Sequence, residues 1–362
     1  MRLVVTGGGT GGHIYPALEV ARLAAEKGAE VIYFGSFRGQ ESGVCARLAI
    51  PFRGFPSEPL LSLRTRRGVG SLVQLLRARS MVRKELLDVR PDAVFSTGGY
   101  SAAPVMAGAS SLRIPFVIHE ANSMPGRSNR MFGKRAAGFS CTFRSTPELC
   151  PGYDIVRLGQ PIRRELRDPA EQAAGGTERS QVLVVGGSQG ARYLNEAAPA
   201  AAKLLQGGPE LSWLLVSGPG NFEQTSAAVA SLAPARFKVE PFLQASEMAE
   251  AYTRSGVAIG RSGGSLAEFA LFRIPSVLTP LPSSADNHQL LNAREFEKIG
   301  AAKIVEQGSD HPGSADAERY AEAVRGWMDD AGARESAQKA LAEWDAPDAT
   351  LNILRMIEQA AA

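Results

Sequence analysis

The chain carries one strand-turn-helix-strand pattern twice, and that repetition limits the folds open to it. Arg2-Leu-Val-Val-Thr6 is a short aliphatic, β-branched run ending in Gly7-Gly-Gly-Thr-Gly-Gly12. Helix-forming composition follows from Pro16 to Lys27, and Val31-Ile-Tyr-Phe34 resumes the strand pattern. This order reads as a β-α-β unit. Near residue 181 it recurs: Gln181-Val-Leu-Val-Val185, the turn Gly186-Gly-Ser-Gln-Gly-Ala191, a helix through Leu205, then Trp213-Leu-Leu-Val216. Ala93-Val-Phe-Ser96 and Pro115-Phe-Val-Ile118 add strand candidates to the first half. Val257-Ala-Ile259 and Ser276-Val-Leu278 add them to the second, each beside Gly or Pro breakers. The expected architecture is therefore two similar α/β domains, each a parallel sheet with helices on both faces. In such sheets ligands bind beyond the carboxyl ends of the strands, so the functional site is expected between the domains. With 362 residues, 44% of them hydrophobic, the chain supports two cores of ordinary size. Leu158-Gly-Gln-Pro-Ile162 places a hinge near Pro161, and the tail from Asp348 to Ala362 has the apolar spacing of a helix.

The turns carry the chemistry. Gly7 to Gly12 satisfies G-x-G-x-x-G after a strand and before a helix, so backbone N–H groups face an anion at the helix's positive end. A dinucleotide-binding domain also needs an acid at the end of the second strand to hold the ribose, yet Gly35 and Ser36 stand there. Three further turns share the type: Thr97-Gly-Gly-Tyr-Ser101, Gly186-Gly-Ser-Gln-Gly190 and Arg261-Ser-Gly-Gly-Ser265. Any one of them serves equally well as a plain tight connection; four on two domains exceed what a single nucleotide needs. The chain has neither a G-x-x-x-x-G-K-[ST] phosphate loop nor an Asp-x-Asp to hold a divalent metal on a diphosphate. Helix ends, hydroxyls and arginine must then offset the charge of any diphosphate substrate.

Charge separates the two halves. Residues 1–163 hold 22 Lys+Arg against 11 Asp+Glu, and the remainder 18 against 26, so the halves carry +11 and −8. The basic half is expected to meet phosphate, lipid headgroup or nucleic acid. Arg64-Thr-Arg-Arg67 leads into Ser71 to Leu87, where Leu72, Leu75, Leu76, Val82 and Leu86 fall on one helical face with Arg79 and Arg83 inside the stripe. That arrangement fits a helix lying on a lipid surface with its arginine stems buried. No run is long and apolar enough to span a bilayer, and no signal-peptide core follows the N-terminus. Cys45, Cys141 and Cys150 are an odd number without metal-ligand spacing, as expected of a chain in a reducing compartment.

Taken as a set, Gly8-Gly-Thr-Gly-Gly-His13 with Tyr15-Pro16, Gly98-Gly-Tyr100, His119-Glu-Ala-Asn122, Gly186-Gly-Ser-Gln-Gly-Ala191 and Asn287-His-Gln-Leu-Leu-Asn292 resembles the MurG family. These are bacterial undecaprenyl-diphospho-muramoylpentapeptide N-acetylglucosaminyltransferases. The resemblance runs in order along almost the whole chain. It implies an α/β GT-B fold, two Rossmann-like domains facing a cleft, with residues 1–161 and 346–362 forming the acceptor and membrane side. Residues 162–345 would form the donor domain, and the C-terminal helix would return to the first. The implied reaction is inverting, metal-free transfer of N-acetylglucosamine from UDP-N-acetylglucosamine to the C4 hydroxyl of lipid I, making lipid II for peptidoglycan. It would run peripherally at the cytoplasmic membrane face. The implied partners are that donor, that acceptor and an anionic membrane surface, with no nucleic acid, no cofactor and no metal.

Carried over motif by motif, Ser188 would bind the diphosphate, the backbone near Leu243 the uracil, Glu268 the ribose hydroxyls, and Gln289 the sugar. Gly263, Gly264 and Ser265 would line the donor loop, and Arg163 would bind donor as well. Thr10, Gly11, Gly12 and Asn122 would complete the site from the acceptor side, with Gly98, Gly99 and Tyr100 at the acceptor diphosphate. His13, an imidazole beside an anion-binding turn, is one expected catalytic base, and Glu120 is the other. The chain departs from the family at Gln160, where Asn is common, and in a loop one residue shorter from Gly263 to Glu268. Two other readings are open to such a chain: a dinucleotide-dependent oxidoreductase, distinguished by nicotinamide or flavin binding, and a non-catalytic nucleotide-sugar-binding subunit, distinguished by lack of turnover.

Overall fold

The computed structural model describes all residues except 38, 58–65, 173–178, 207–210, 231 and 233–235, with the backbone only at 66–73. Two compact units emerge: Met1–Arg163 together with Ala346–Ala362, and Arg164–Asp345.

The first unit runs β1 (Arg2–Thr6), α1 (Gly11–Glu26), β2 (Glu30–Ser36), α2 (Glu41–Arg47), β3 (Phe52–Phe55), α3 (Arg66–Val89), β4 (Ala93–Ser96), α4 (Ala102–Leu112), β5 (Phe116–Glu120), α5 (Arg127–Gly133), β6 (Gly138–Cys141), α6 (Thr146–Leu149) and β7 (Val156–Arg157). Its seven strands are parallel and ordered β3-β2-β1-β4-β5-β6-β7. The second unit runs α7 (Arg164–Gln172), β8 (Gln181–Val185), α8 (Arg192–Leu204), β9 (Ser212–Val216), α9 (Phe222–Val229), β10 (Phe237–Glu240), α10 (Ala245–Arg254), β11 (Ser255–Gly260), α11 (Ser265–Leu271), β12 (Ser276–Leu278), α12 (His288–Lys298), β13 (Ala302–Ile304), α13 (Ser314–Met328) and α14 (Ala331–Trp344). Its six parallel strands are ordered β10-β9-β8-β11-β12-β13. Strand order reverses between β1 and β4 in one sheet and between β8 and β11 in the other. At such reversals neighbouring connections leave toward opposite faces and open a crevice.

The last helix, α15 (Ala349–Ala361), packs with the first unit. Ile353, Leu354 and Ile357 are fully or almost fully buried beside Leu3, Val5, Ala17 and Ala21, so α1 and α15 cover one sheet face. Val82, Leu86, Val105, Met106 and Ala109, from α3 and α4, cover the other. Close approach of α3 and α4 depends on Gly108, where a Cβ would stand 3.0 Å from Val82 and 3.1 Å from Leu86.

That packing corrects the expected register of α3. Its buried stripe is Ala78, Val82, Leu86 and Val89, rotated from the stripe read off the sequence. Arg79 and Arg83 are exposed, and Leu76 and Leu87 face outward at 54% and 51% exposure. Several apolar stripes were available around this helix, and the one facing small residues of α4 is the one buried. Arg64 and Thr65 lie outside the described residues, as do the side chains of Arg66, Arg67 and Leu72.

Candidate functional site

The four glycine turns singled out from sequence follow β1, β4, β8 and β11, the strands flanking the two reversals. In the first unit the turns after β1 and β4 are joined backbone to backbone. Gly8 N donates to Gly98 O at 3.2 Å, and a Cβ at Gly99 (φ +86°) would stand 2.0 Å from Gly8 O. Only glycine fits there. Tyr100 packs on Gly9 from the opposite turn. Thr10 is the N-cap of α1 in extended conformation; its side chain does not cap the helix, and the first turn carries no acidic residue. Neither a side-chain cap nor a first-turn carboxylate therefore competes for the N–H groups at this helix start, the arrangement that suits an anion.

His13 stands in that first turn, half-buried. Its Nδ1 lies 2.9 Å from Thr97 O, while Thr97 Oγ1 donates to His13 O at 2.7 Å. A carbonyl only accepts, so Nδ1 carries the proton and the neutral ring keeps its lone pair on Nε2. Thr97, the first residue of its turn, thus fixes both the position and the tautomer of His13.

The two acidic and basic side chains of His119-Glu-Ala-Asn122 turn inward. His119 is fully buried among Ser140 Oγ (3.0 Å), Thr142 Oγ1 (3.2 Å) and Gln160 Oε1 (3.3 Å). Burial holds its pKa down at about 4, so it is neutral. Gln160 accepts a 2.5 Å bond from Thr142 Oγ1, so at this departure from the family pattern the longer amide reaches into the β5–β6 region. Glu120 is also fully buried. Its Oε1 accepts from Asn122 N (2.9 Å) and Asn122 Nδ2 (3.1 Å), and its Oε2 from Gly126 N (2.9 Å) and Asn129 Nδ2 (2.7 Å). A carboxylate with four protein donors is occupied in shaping its loop. The geometry therefore speaks against Glu120 as the base and assigns it to holding Asn122, half-buried, in place. Asn129 carries this order back to the glycine turn, since a Cβ at Gly98 would stand 2.8 Å from its amide. Arg163 lies over the ring of Tyr15 of α1 at 4.4 Å and so sits within the first unit.

The second unit repeats the device. Gly190 (φ +74°) and Gly218 (φ +82°) bring the turns after β8 and β9 into contact, a Cβ at Gly190 standing 1.8 Å from Ser217 O. Ser188 is exposed at the tip of its turn. Helix α8 begins after Ala191, with no side-chain cap and no acidic residue in its first turn. After β11, Ser262 O accepts from Asn292 Nδ2 of α12 at 2.9 Å, and Gln289 of α12 approaches Gly263. Gln289 Oε1 accepts from Leu281 N at 2.9 Å. Gly264 is the N-cap of the short α11, Ser265 opens it, and Glu268 stands half-buried in its first turn. Leu243 is half-buried between β10 and α10. Arg261 donates to Thr279 O, Pro280 O and Gln307 Oε1 at 3.0, 3.3 and 2.8 Å, so it braces the loop.

Glu41 and Thr97 were not anticipated. Glu41 is completely buried behind Gly8; Ser101 Oγ donates to its Oε1 at 3.3 Å, and its Oε2 has no partner among the described residues. Thr97 had a local signal, a hydroxyl directly before Gly98, whereas Glu41 lies a whole β-α connection away.

Comparison with known families makes this two-domain fold that of a glycosyltransferase: residues 3–139 match the glycosyltransferase family 28 N-terminal domain and residues 181–340 its C-terminal domain. A UDP-N-acetylglucosamine–N-acetylmuramyl-(pentapeptide) pyrophosphoryl-undecaprenol N-acetylglucosamine transferase from Symbiobacterium thermophilum is 36% identical, the match covering 99% of this chain and 96% of the relative. One of the same name from Moorella thermoacetica is 36% identical over 84% of this chain and 85% of the relative. The crystal structure of Acinetobacter baumannii MurG superposes with a TM-score of 0.76, at 27% identity and 99% coverage of both chains. The chain belongs to this family of N-acetylglucosamine transferases. An S. aureus MnaA–UDP structure, at 13% identity, TM-score 0.69, and 99% and 96% coverage, shares the fold. Membership sets aside the oxidoreductase and the non-catalytic subunit.

Proposed function

We propose that this chain transfers N-acetylglucosamine from UDP-N-acetylglucosamine to the C4 hydroxyl of the muramoyl sugar of lipid I, yielding lipid II and UDP, with His13 as the base. The observation that carries the catalytic part is the pair of bonds between His13 and Thr97, which leaves Nε2 as the proton acceptor at the mouth of an uncapped helix. In a single displacement the acceptor O4 attacks the anomeric carbon, Nε2 takes the O4 proton, and the bond from that carbon to the β-phosphate oxygen breaks, its electron pair leaving on UDP. The anomeric configuration inverts. The unblocked start of α8 offsets part of the charge on the departing diphosphate, a helix terminus contributing about 0.3 to 2 kcal/mol. That of α1, with Gly98, Gly99 and Tyr100 alongside, suits the acceptor diphosphate. In this reading Ser188, Leu243, Gly263, Gly264, Ser265, Glu268 and Gln289 hold the donor, Arg163 assists from its seat on Tyr15, and no metal takes part. Incubation with UDP-N-acetylglucosamine and a lipid I analogue in EDTA is expected to give product at the rate seen without chelator. Absence of product, or restoration only by added magnesium, would overturn the reading.

Among the described residues no helix is long and apolar enough to cross a membrane. The exposed face of α3 joins Leu76 and Leu87 to Arg79 and Arg83, an apolar and basic mixture suited to an anionic leaflet. We place the enzyme peripherally on the cytoplasmic membrane face through this surface. Each basic group near such a leaflet is worth about 1 kcal/mol. Arg79→Glu with Arg83→Glu is therefore expected to weaken co-sedimentation with phosphatidylglycerol vesicles at least about tenfold. Unchanged vesicle binding would remove α3 from the membrane contact.

A further inference from the structure

Tyr252 is on α10, one element before the strand that leads to the donor loop, yet its hydroxyl reaches that loop's carboxylate. It donates to Glu268 Oε2 at 2.5 Å, the short end of the range for O–H···O⁻ bonds. The ring is fully buried, edge-on to Phe269 at 6.0 Å and tilted against Phe272 at 5.0 Å. Burial between these two rings confines the phenol, which is therefore a well-placed donor.

Glutamate is a flexible residue, and a ligand that must order it loses affinity in doing so. Glu268 is spared part of that loss, because one carboxylate oxygen is already tied to a rigid ring. The bond also sets the plane of the carboxylate, which decides whether two vicinal hydroxyls can both donate to it. A single hydroxyl accepts a wider range of carboxylate orientations.

We propose that Tyr252 is a positioning residue that orients Glu268 for the ribose diol and thereby sharpens preference for a ribonucleotide over a 2′-deoxyribonucleotide donor. The proposal rests on the reading of Glu268 as the ribose ligand, and the test separates the two. Affinities of UDP and 2′-deoxy-UDP are measured by calorimetry on the full chain, on Tyr252→Phe and on Glu268→Gln. The parent is expected to prefer UDP. In Tyr252→Phe the UDP affinity is expected to fall about fivefold to tenfold while that of 2′-deoxy-UDP moves less than about twofold, narrowing the preference. A general loss of folded protein weakens both ligands alike and leaves their ratio untouched. A parent-like ratio in Tyr252→Phe therefore overturns the positioning role, whether or not both affinities fall. If the parent shows no preference, or Glu268→Gln keeps it, the ribose reading itself is wrong and the proposal goes with it.

Discussion

Replacing His13 by alanine is expected to lower kcat by about 10²- to 10⁴-fold, the usual worth of a positioned base, while the fold survives. Survival follows from the local wiring. The bond from Thr97 Oγ1 runs to the backbone carbonyl of residue 13 and does not need the imidazole, so the glycine turns after β1 and β4 stay joined. The lost Nδ1 bond to Thr97 O is a half-buried one, costing on the order of 1 kcal/mol. Initial rates at saturating donor and acceptor, with thermal unfolding as control, decide the matter. A variant turning over at the parent rate would exclude His13 from the chemistry.

Glu120→Gln should behave in the opposite way, failing in stability first. Each oxygen of Glu120 faces two N–H donors. Whichever way a glutamine amide is turned, its NH₂ opposes one of those pairs in a fully buried site. The expected loss is about 3 kcal/mol, read as a lower midpoint in urea unfolding, and Asn122 loses its anchor at the same time. Stability near the parent value with turnover alone removed would overturn this account and return Glu120 to the chemistry. Denaturation and rate measurements on one preparation separate these outcomes.

The contrast between these two residues shows how far the sequence could be read. The position of His13 was legible because it follows Gly11 and Gly12 at a helix start, whereas the bonds that orient it come from Thr97 in the turn after β4 and were not. Glu120 has an equally suitable side chain, but the donors that occupy it include Gly126 and Asn129, and the path of the loop after β5 decides whether they reach it. The glycine turns were legible for a similar reason. A position such as Gly99 or Gly190, at positive φ against a neighbouring carbonyl, admits no other residue, so the need is written into the chain. Helix α3 shows the reverse case. Its apolar residues surround enough of the helix that periodicity alone allows several faces, and contact with α4 at Gly108 selects one. The Tyr252–Glu268 bond had no signal in the sequence, because it joins two helices on either side of β11.

The placement of α15 bears on the order of events during synthesis. The ribosome emits the first 163 residues long before residues 346–362, yet Ile353, Leu354 and Ile357 belong to the same apolar cluster as Leu3 and Val5. Arg164–Asp345, by contrast, is continuous in the chain. The half that is translated first is therefore the last to be completed, and until the final helix emerges one face of its sheet lacks part of its cover and is exposed to chaperones and to other nascent chains.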